Sequence, residues 1–174
     1  MKDHKDACLL DPMIEKLLNR QIEIEHEASM VYLSMATWAE KNLYPKTAAF
    51  FYAQSLEERE HMMKIIRYLV DLDRTPLLPA TPRVNQSYQD LPAMLRQFLS
   101  QEQAVTKAIH HMVDLALQQK DYATFQFLQW FVAEQQEEEA TARKAIDRCQ
   151  VLTPEGHRRH ALDDAIAHLE REGD

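Results

Sequence analysis

Seven prolines and only two glycines punctuate these 174 residues, and the prolines leave long stretches untouched. Proline interrupts a helix interior because it lacks an N–H and clashes with the preceding turn. Glycine supplies the positive-φ positions that tight strand connections demand. Gly156 and Gly173 alone are far too few for an α/β or all-β fold. Between the prolines, Leu, Ala, Glu, Gln, Met and Lys dominate, and these are good helix formers. An all-α chain is expected, long enough for one domain with a substantial core.

The first helical segment is predicted from about Pro12 to Lys41, with Asp11 as N-cap and proline at the first helical position. Its apolar stripe steps by threes and fours through Ile14, Leu17, Leu18, Gln21, Glu25, Ala28, Tyr32, Met35 and Ala39. Asn42 to Pro45 breaks it, and a second segment follows from about Lys46 to Leu72. Pro76, Pro79 and Pro82 exclude a helix over the next stretch, an extended crossover running on to Gln89. A third segment starts near Asp90-Leu91-Pro92, with Leu95, Phe98, Leu99, Glu102, Val105, Ile109, Met112 and Ala116 inward. Gln118 to Asp121 is the turn into a fourth segment, about Tyr122 to Val151, carrying Phe127, Phe131, Glu134, Glu138, Ala142, Ala145 and Cys149 inward. After a turn at Thr153 to Gly156, a short fifth helix covers about His157 to Arg171, with Leu162, Ala165, Ile166 and Leu169 on one side. The four long segments would each extend about 40 Å. Short first and third links with a long second one give a four-helix bundle with one long crossover. Residues 1–10 are read as a tail and 11–174 as a single domain.

Within this pattern one constellation is chemically expensive. Glu58 and His61 lie three apart and share a face with Phe51, Ser55, Met62, Ile65, Leu69 and Leu72. A carboxylate and an imidazole aimed into an apolar core need compensation. Glu25, Glu102 and Glu138 sit on the apolar stripes of the other three segments. Measured from the turns, Glu25 and Glu58 fall within one helical turn of the same level, and Glu102 and Glu138 are each roughly 18 residues from Lys120. Four converging carboxylates without inward Lys or Arg partners call for cations between them. Carboxylates with one imidazole favour Fe, Mn, Mg or Zn over copper(I), and a bridging carboxylate holds two metals close together.

Several neighbours admit two readings. Glu57, Glu134 and Glu137 are either a solvated acidic face or a third cation position beside the pair. Tyr32, two turns after Glu25, is either a core aromatic or a donor of a hydrogen bond or an electron to the site. Gln135 is either a plain helix-face amide or a partner that orients ligands. His26 points about 100° away from Glu25 and belongs to the surface. His110 and His111 are exposed or at a subunit contact. His157, His160 and His168 are solvated or line a channel between copies.

The formal charge of −8 argues against nucleic acid or an anionic membrane as partner and suits attraction of cations. Cys8 and Cys149 make no disulfide framework, the first residues lack an apolar signal region, and no apolar run approaches a membrane span. A cytoplasmic protein is expected.

Taken together these residues resemble the ferritin family, most closely its haem-free bacterial members. The carrying segments are Glu25 to Tyr32, Glu57-Glu58-Arg59-Glu60-His61-Met62, Gln101-Glu102-Gln103, Asp121 to Trp130, and Glu134-Gln135-Gln136-Glu137-Glu138-Glu139. The resemblance implies a hollow shell of 24 subunits that oxidises Fe(II) with dioxygen or peroxide and stores ferric mineral. It implies a di-iron centre, one iron held by Glu25, Glu58 and His61 and the second by Glu58, Glu102 and Glu138, with Glu58 bridging. A third position would use Glu57, Glu134, Glu137 and Glu138. Haem-binding relatives place a methionine directly after the ligand Glu of the second helix and repeat Glu-x-x-His on the fourth. Here Arg59 follows Glu58, and Thr141 stands three after Glu138, so no haem is expected. A small di-iron oxidase or peroxidase without storage is the competing enzyme reading. A structural bundle with paired buried carboxylates is the non-enzymatic one.

Overall fold

A computed structural model describes residues 10–151 and 158–167. Among them every regular element is a helix: α1 Pro12–Lys41, α2 Pro45–Asp71, α3 Leu91–Gln119, α4 Tyr122–Val151 and α5 Arg158–Ala167. The expected tail residues 1–9, Cys8, the turn at Thr153 to Gly156, His157, His168 and Leu169 lie outside the described residues.

Three of the four long helices start where a local aspartate satisfies free N–H groups. Asp11 Oδ1 accepts from Met13 N at 2.8 Å, with Pro12 at the first position. Asp90 Oδ1 accepts from Ala93 N at 2.7 Å, and Asp121 Oδ1 from Thr124 N at 3.0 Å. In α2 the expected start at Lys46 moves back by one, because Pro45 itself is the first helical residue, where its missing N–H costs nothing. Tyr44 provides no side-chain cap. The buried carboxylate of Asp163 on α5 caps α2 instead, accepting from Lys46 N at 3.1 Å and from Thr47 N at 2.7 Å.

The helix ends solve the shortage of glycine without glycine. Leu43, Asp73 and Lys120 adopt φ of 64°, 57° and 58°. In each case the next N–H reaches back to close the last turn: Tyr44 to Ala39 O, Arg74 to Leu69 O and Asp121 to Ala116 O, all at 2.9 Å. These are glycine-type helix stops made by residues that pay a steric penalty of about 1 kcal/mol each.

The crossover, residues 72–90, lies along α1. Asn19 Oδ1 accepts from Leu77 N at 2.7 Å, and Ser34 Oγ donates to Asn85 O at 2.5 Å. Asn19 and Ser34 are about 22 Å apart on the helix axis, so the link travels most of the bundle. It carries the chain from the end where Arg74 pairs with Glu15 to the end where Tyr88 packs on Trp38. α3 therefore starts beside the C-terminus of α1 and runs parallel to α2. α5 closes that same end, packed on α2 and α4.

The inward faces follow the sequence stripes, although Leu17, Met62, Leu72, Leu99 and Ala165 stand half-buried at the stripe edges, and α4 departs furthest. There the buried face is Thr124, Leu128, Phe131, Gln135, Glu138 and Ala142, whereas Phe127 and Glu134 are half-buried. Phe127 lies on the flank towards α2, its ring stacked on Tyr68 with centroids 3.8 Å apart. The apolar core falls into two clusters. One holds Ile14, Leu18, Ile22, Ile65, Leu69, Val105, Ile109 and Phe131, and also takes in Leu10 from the edge of the expected tail. The other holds Ala28, Tyr32, Phe51, Phe98, Ala142 and Leu162. Every long helix crosses from one cluster to the other at mid-height, and at each crossing stands a glutamate.

Candidate metal centre

Between the two apolar clusters lies a polar layer built from all four long helices. Glu25 of α1, Glu58 and His61 of α2, Glu102 of α3 and Glu138 of α4 are each at most 5 % exposed. Ligand atoms of Glu25, Glu58 and His61 all lie within 4.8 Å of one another. His61 Nδ1 meets Glu58 Oε2 at 3.1 Å, and Gln21 Nε2 donates to Glu25 Oε1 at 2.9 Å. Tyr32, fully buried, donates its hydroxyl to Glu102 Oε1. Gln135 donates to Glu102 Oε2 at 3.1 Å. Glu102 is thus held from two sides, by α1 and by α4.

The layer is short of positive charge. Among the described residues, Glu25 Oε2 and Glu138 Oε2 are buried with no hydrogen-bond partner. Proteins rarely leave such oxygens idle, since each costs about 1–3 kcal/mol. Burial lifts Glu25 from 4.5 to about 7 against the donation from Gln21. Burial, then the charges of Glu102, Glu57 and Glu134, lifts Glu138 to about 9. Glu58 is raised well above the carboxylate range by burial and by the charges of Glu25, Glu102 and Glu138. Glu102 is raised as well, by burial working against the donors Tyr32 and Gln135. Burial, with the ammonium of Lys64 adding to it, lowers His61 from 6.5 to about 4. The imidazole is therefore neutral and its lone pair free for a cation. A cation placed in this layer would displace protons and supply the charge that the orphaned oxygens lack.

A second grouping borders the first. Ligand atoms of Glu57, His61 and Glu134 also lie within 4.8 Å of one another. Glu57 and Glu134 are half-buried, and both are raised, mainly by burial and then by neighbouring carboxylates. Glu137 is exposed and takes no part in that grouping. His61 stands in both groupings, with its ring edge-on to Trp130 at 5.3 Å.

Of the remaining histidines, His26 is half-buried, and His110, His111 and His160 are exposed. Two participants escaped the sequence reading. Gln54 is buried and donates to Glu57 Oε2 at 2.8 Å, and Thr106 donates to Glu139 Oε1 at 2.7 Å beside Gln135. Gln54 stands four residues before Glu58, on its face, which is a signal once Glu58 is known to be buried.

Residues 15–152 match the ferritin-like domain family. The chain is 35 % identical over 161 residues to a bacterial non-heme ferritin of Campylobacter jejuni, covering 92 % of this chain and 96 % of that protein. It is 31 % identical over 158 residues to the bacterial non-heme ferritin of Escherichia coli, covering 91 % and 95 %. In structure it superposes on the open-pore ferritin of the hyperthermophilic archaeon Archaeoglobus fulgidus with a TM-score of 0.87 at 30 % identity, over 91 % of this chain and 96 % of that one. A ferritin of Chlorobium tepidum gives a TM-score of 0.81 at 31 % identity, over 95 % and 100 %.

Proposed function

Because this chain belongs to the ferritin family, we propose that it oxidises Fe(II) to Fe(III) at the mid-bundle layer and stores the ferric product within a shell of 24 copies. The observation that carries the reading is the pair of buried, unpartnered carboxylate oxygens, Glu25 Oε2 and Glu138 Oε2, in a layer fed by all four long helices. A structural bundle would have paired or omitted them. The metal follows from the relatives, which are non-heme ferritins.

In this reading iron is substrate and cargo. One Fe(II) is held by Glu25, Glu58 and His61, and another by Glu58, Glu102 and Glu138, with Glu58 shared. Two Fe(II) give one electron each to dioxygen, which with two protons leaves as hydrogen peroxide; peroxide as oxidant would leave as water. The protein supplies position and charge. Gln21 orients Glu25, while Tyr32 and Gln135 fix Glu102, so the carboxylates need little rearrangement as ions arrive. Protons released by Glu25, Glu58 and Glu138 as they ionise are returned to the chemistry. A third position at Glu57, Glu134, Glu137 and Glu138 is the family-derived extension of the site. Residues 11–174 act as one domain in the cytoplasm; among the described residues no helix is long and apolar enough to cross a membrane.

Stopped-flow absorbance after mixing metal-free protein with two Fe(II) per subunit in air tests the assignment. Glu58→Ala and His61→Ala should each remove the fast phase of oxidation while size-exclusion chromatography still shows the large assembly. A fast phase of unchanged rate in both variants refutes the site.

A further inference from the structure

Ser29 of α1 and Ser55 of α2 spend their hydroxyls on each other's backbones. Ser29 Oγ donates to Ser55 O at 2.6 Å, and Ser55 Oγ donates to Ser29 O at 2.8 Å. Each hydroxyl carries one proton, so the two Oγ atoms, 3.3 Å apart, merely touch. A helical serine or threonine often turns its hydroxyl to the carbonyl four residues back in its own helix, as Thr106 does to Glu102 O at 3.0 Å. Here both hydroxyls cross instead. A carbonyl oxygen has two lone pairs, so each helix keeps its own ladder bond while accepting the hydroxyl. Among the described residues no other side chain of α1 or α2 bonds the backbone of the other helix.

The place of this pair matters more than its strength. α1 and α2 run antiparallel about the short turn at 42–44. Glu25 lies four residues before Ser29 and Glu58 three after Ser55, so both carboxylates stand about one turn from the serines, on the same side. Tyr32 and Phe51 stand about one turn away on the other side, their ring centroids 6.1 Å apart. Interaxial spacing follows the side chains at the contact: rings hold helices apart and small residues let them approach. The serines are small, and their bonds also pull, because a donor must come within about 3 Å of the partner backbone. The spacing of α1 from α2 at the height of Glu25, Glu58 and His61, whose ligand atoms lie within 4.8 Å of one another, is thus fixed from one turn away.

We propose that Ser29 and Ser55 are positioning residues for the metal layer: their reciprocal bonds set the gap between Glu25 on one helix and Glu58 and His61 on the other, and so the size of ion that the gap accepts. This rests on the iron-handling reading above. Neither serine supplies a ligand. Selection by size needs ligands that cannot follow the ion, since flexible donors close around any radius. Glutamate side chains are long, so their rigidity must come from the backbones beneath them and from donors such as Gln21, which holds Glu25 Oε1 at 2.9 Å. Untied, α1 and α2 relax outward to the spacing that the rings of Tyr32 and Phe51 favour, and the smaller ion loses more than the larger.

Cobalt(II) and the larger manganese(II) give the test, the first titrated by absorbance into assembled, metal-free protein and the second by competition against it. Ser29→Thr and Ser29→Val are the decisive pair, because the two new side chains have the same shape and only threonine can donate to Ser55 O. Ser29→Thr should bind both ions as wild type does. Ser29→Val should weaken cobalt by about tenfold and manganese by less than about threefold, and should shift the cobalt absorption bands as the coordination opens. Adding Ser55→Ala should enlarge both effects; the single substitutions decide the matter even where the double variant fails to fold. Equal weakening of the two ions, unmoved cobalt bands, or a loss in Ser29→Thr as large as in Ser29→Val would reduce the serines to ordinary packing and overturn the proposal, with the metal layer left standing. A wild-type protein that takes up no cobalt between the four helices would instead overturn the functional reading, and the proposal with it.

Discussion

Replacing Glu138 by glutamine should stabilise the metal-free protein, although it removes a residue of the site. Glu138 is raised from 4.5 to about 9, chiefly by burial. At pH 7 the unfolded chain has released this proton and the folded chain retains it. A raised carboxyl of this kind favours folding fully below pH 4.5, and the advantage is lost as pH climbs towards 9. Each unit is worth about 1.4 kcal/mol, so between pH 4.5 and 7 the wild-type residue costs roughly 3 kcal/mol. Glutamine has no proton to hold. It keeps the volume of Glu138, and its amide can donate to the idle Gln54 Oε1. For a domain of this size 3 kcal/mol corresponds to roughly 6–12 °C in Tm. The assay is calorimetric melting of chelator-treated wild type and Glu138→Gln from pH 5 to 8. The variant should melt higher, by a margin that grows with pH. Adding cobalt should reverse the order, because the ion binds the folded wild type better. A variant that is less stable at pH 7 without metal, or a margin constant across the range, would mean that Glu138 is ionised and paired, and the reasoning about the empty layer would fail.

Asp163→Ala should cost about 1–2 kcal/mol by uncapping α2, and more if Thr47, whose hydroxyl also donates to Asp163, stays buried without a partner. Hydrogen exchange at the Lys46 and Thr47 amides should accelerate; unchanged protection there would mean that α5 does not hold the cap. Tyr32→Phe should leave the fold intact, since the ring still packs edge-on against Phe98 at 5.1 Å. It should weaken cobalt binding by up to about tenfold through the lost donor to Glu102, and a titration curve that superposes on wild type would reduce Tyr32 to a core aromatic.

The spans of α1 and α4 and the burial of Glu25, Glu58, His61, Glu102 and Glu138 were legible because long periodic helices leave few alternatives for a residue on the stripe. The α4 register was less so. On a 30-residue helix, Phe127 and Glu134 occupy positions that could lie inward or on the flank. What decided was the stacking of Phe127 on Tyr68, a contact between segments nearly 60 positions apart in sequence. Gln54 and Gln135 share a face with buried glutamates, yet an amide looks the same in sequence whether buried or wet, and only the neighbouring carboxylates tell them apart. Asp163 was invisible for a related reason. A helix cap supplied from over a hundred residues away leaves no local motif.

One glutamate from each long rod at a common height makes the centre intolerant of length changes. Adding or deleting a single residue between a turn and its glutamate rotates that carboxylate by about 100° and slides it about 1.5 Å along the axis. The same change would be absorbed harmlessly in residues 72–90, where the chain is extended and touches α1 at few points. Changes in the crossover and in side chains facing water should therefore be tolerated, while the spacing from each turn to its glutamate acts as a fixed ruler.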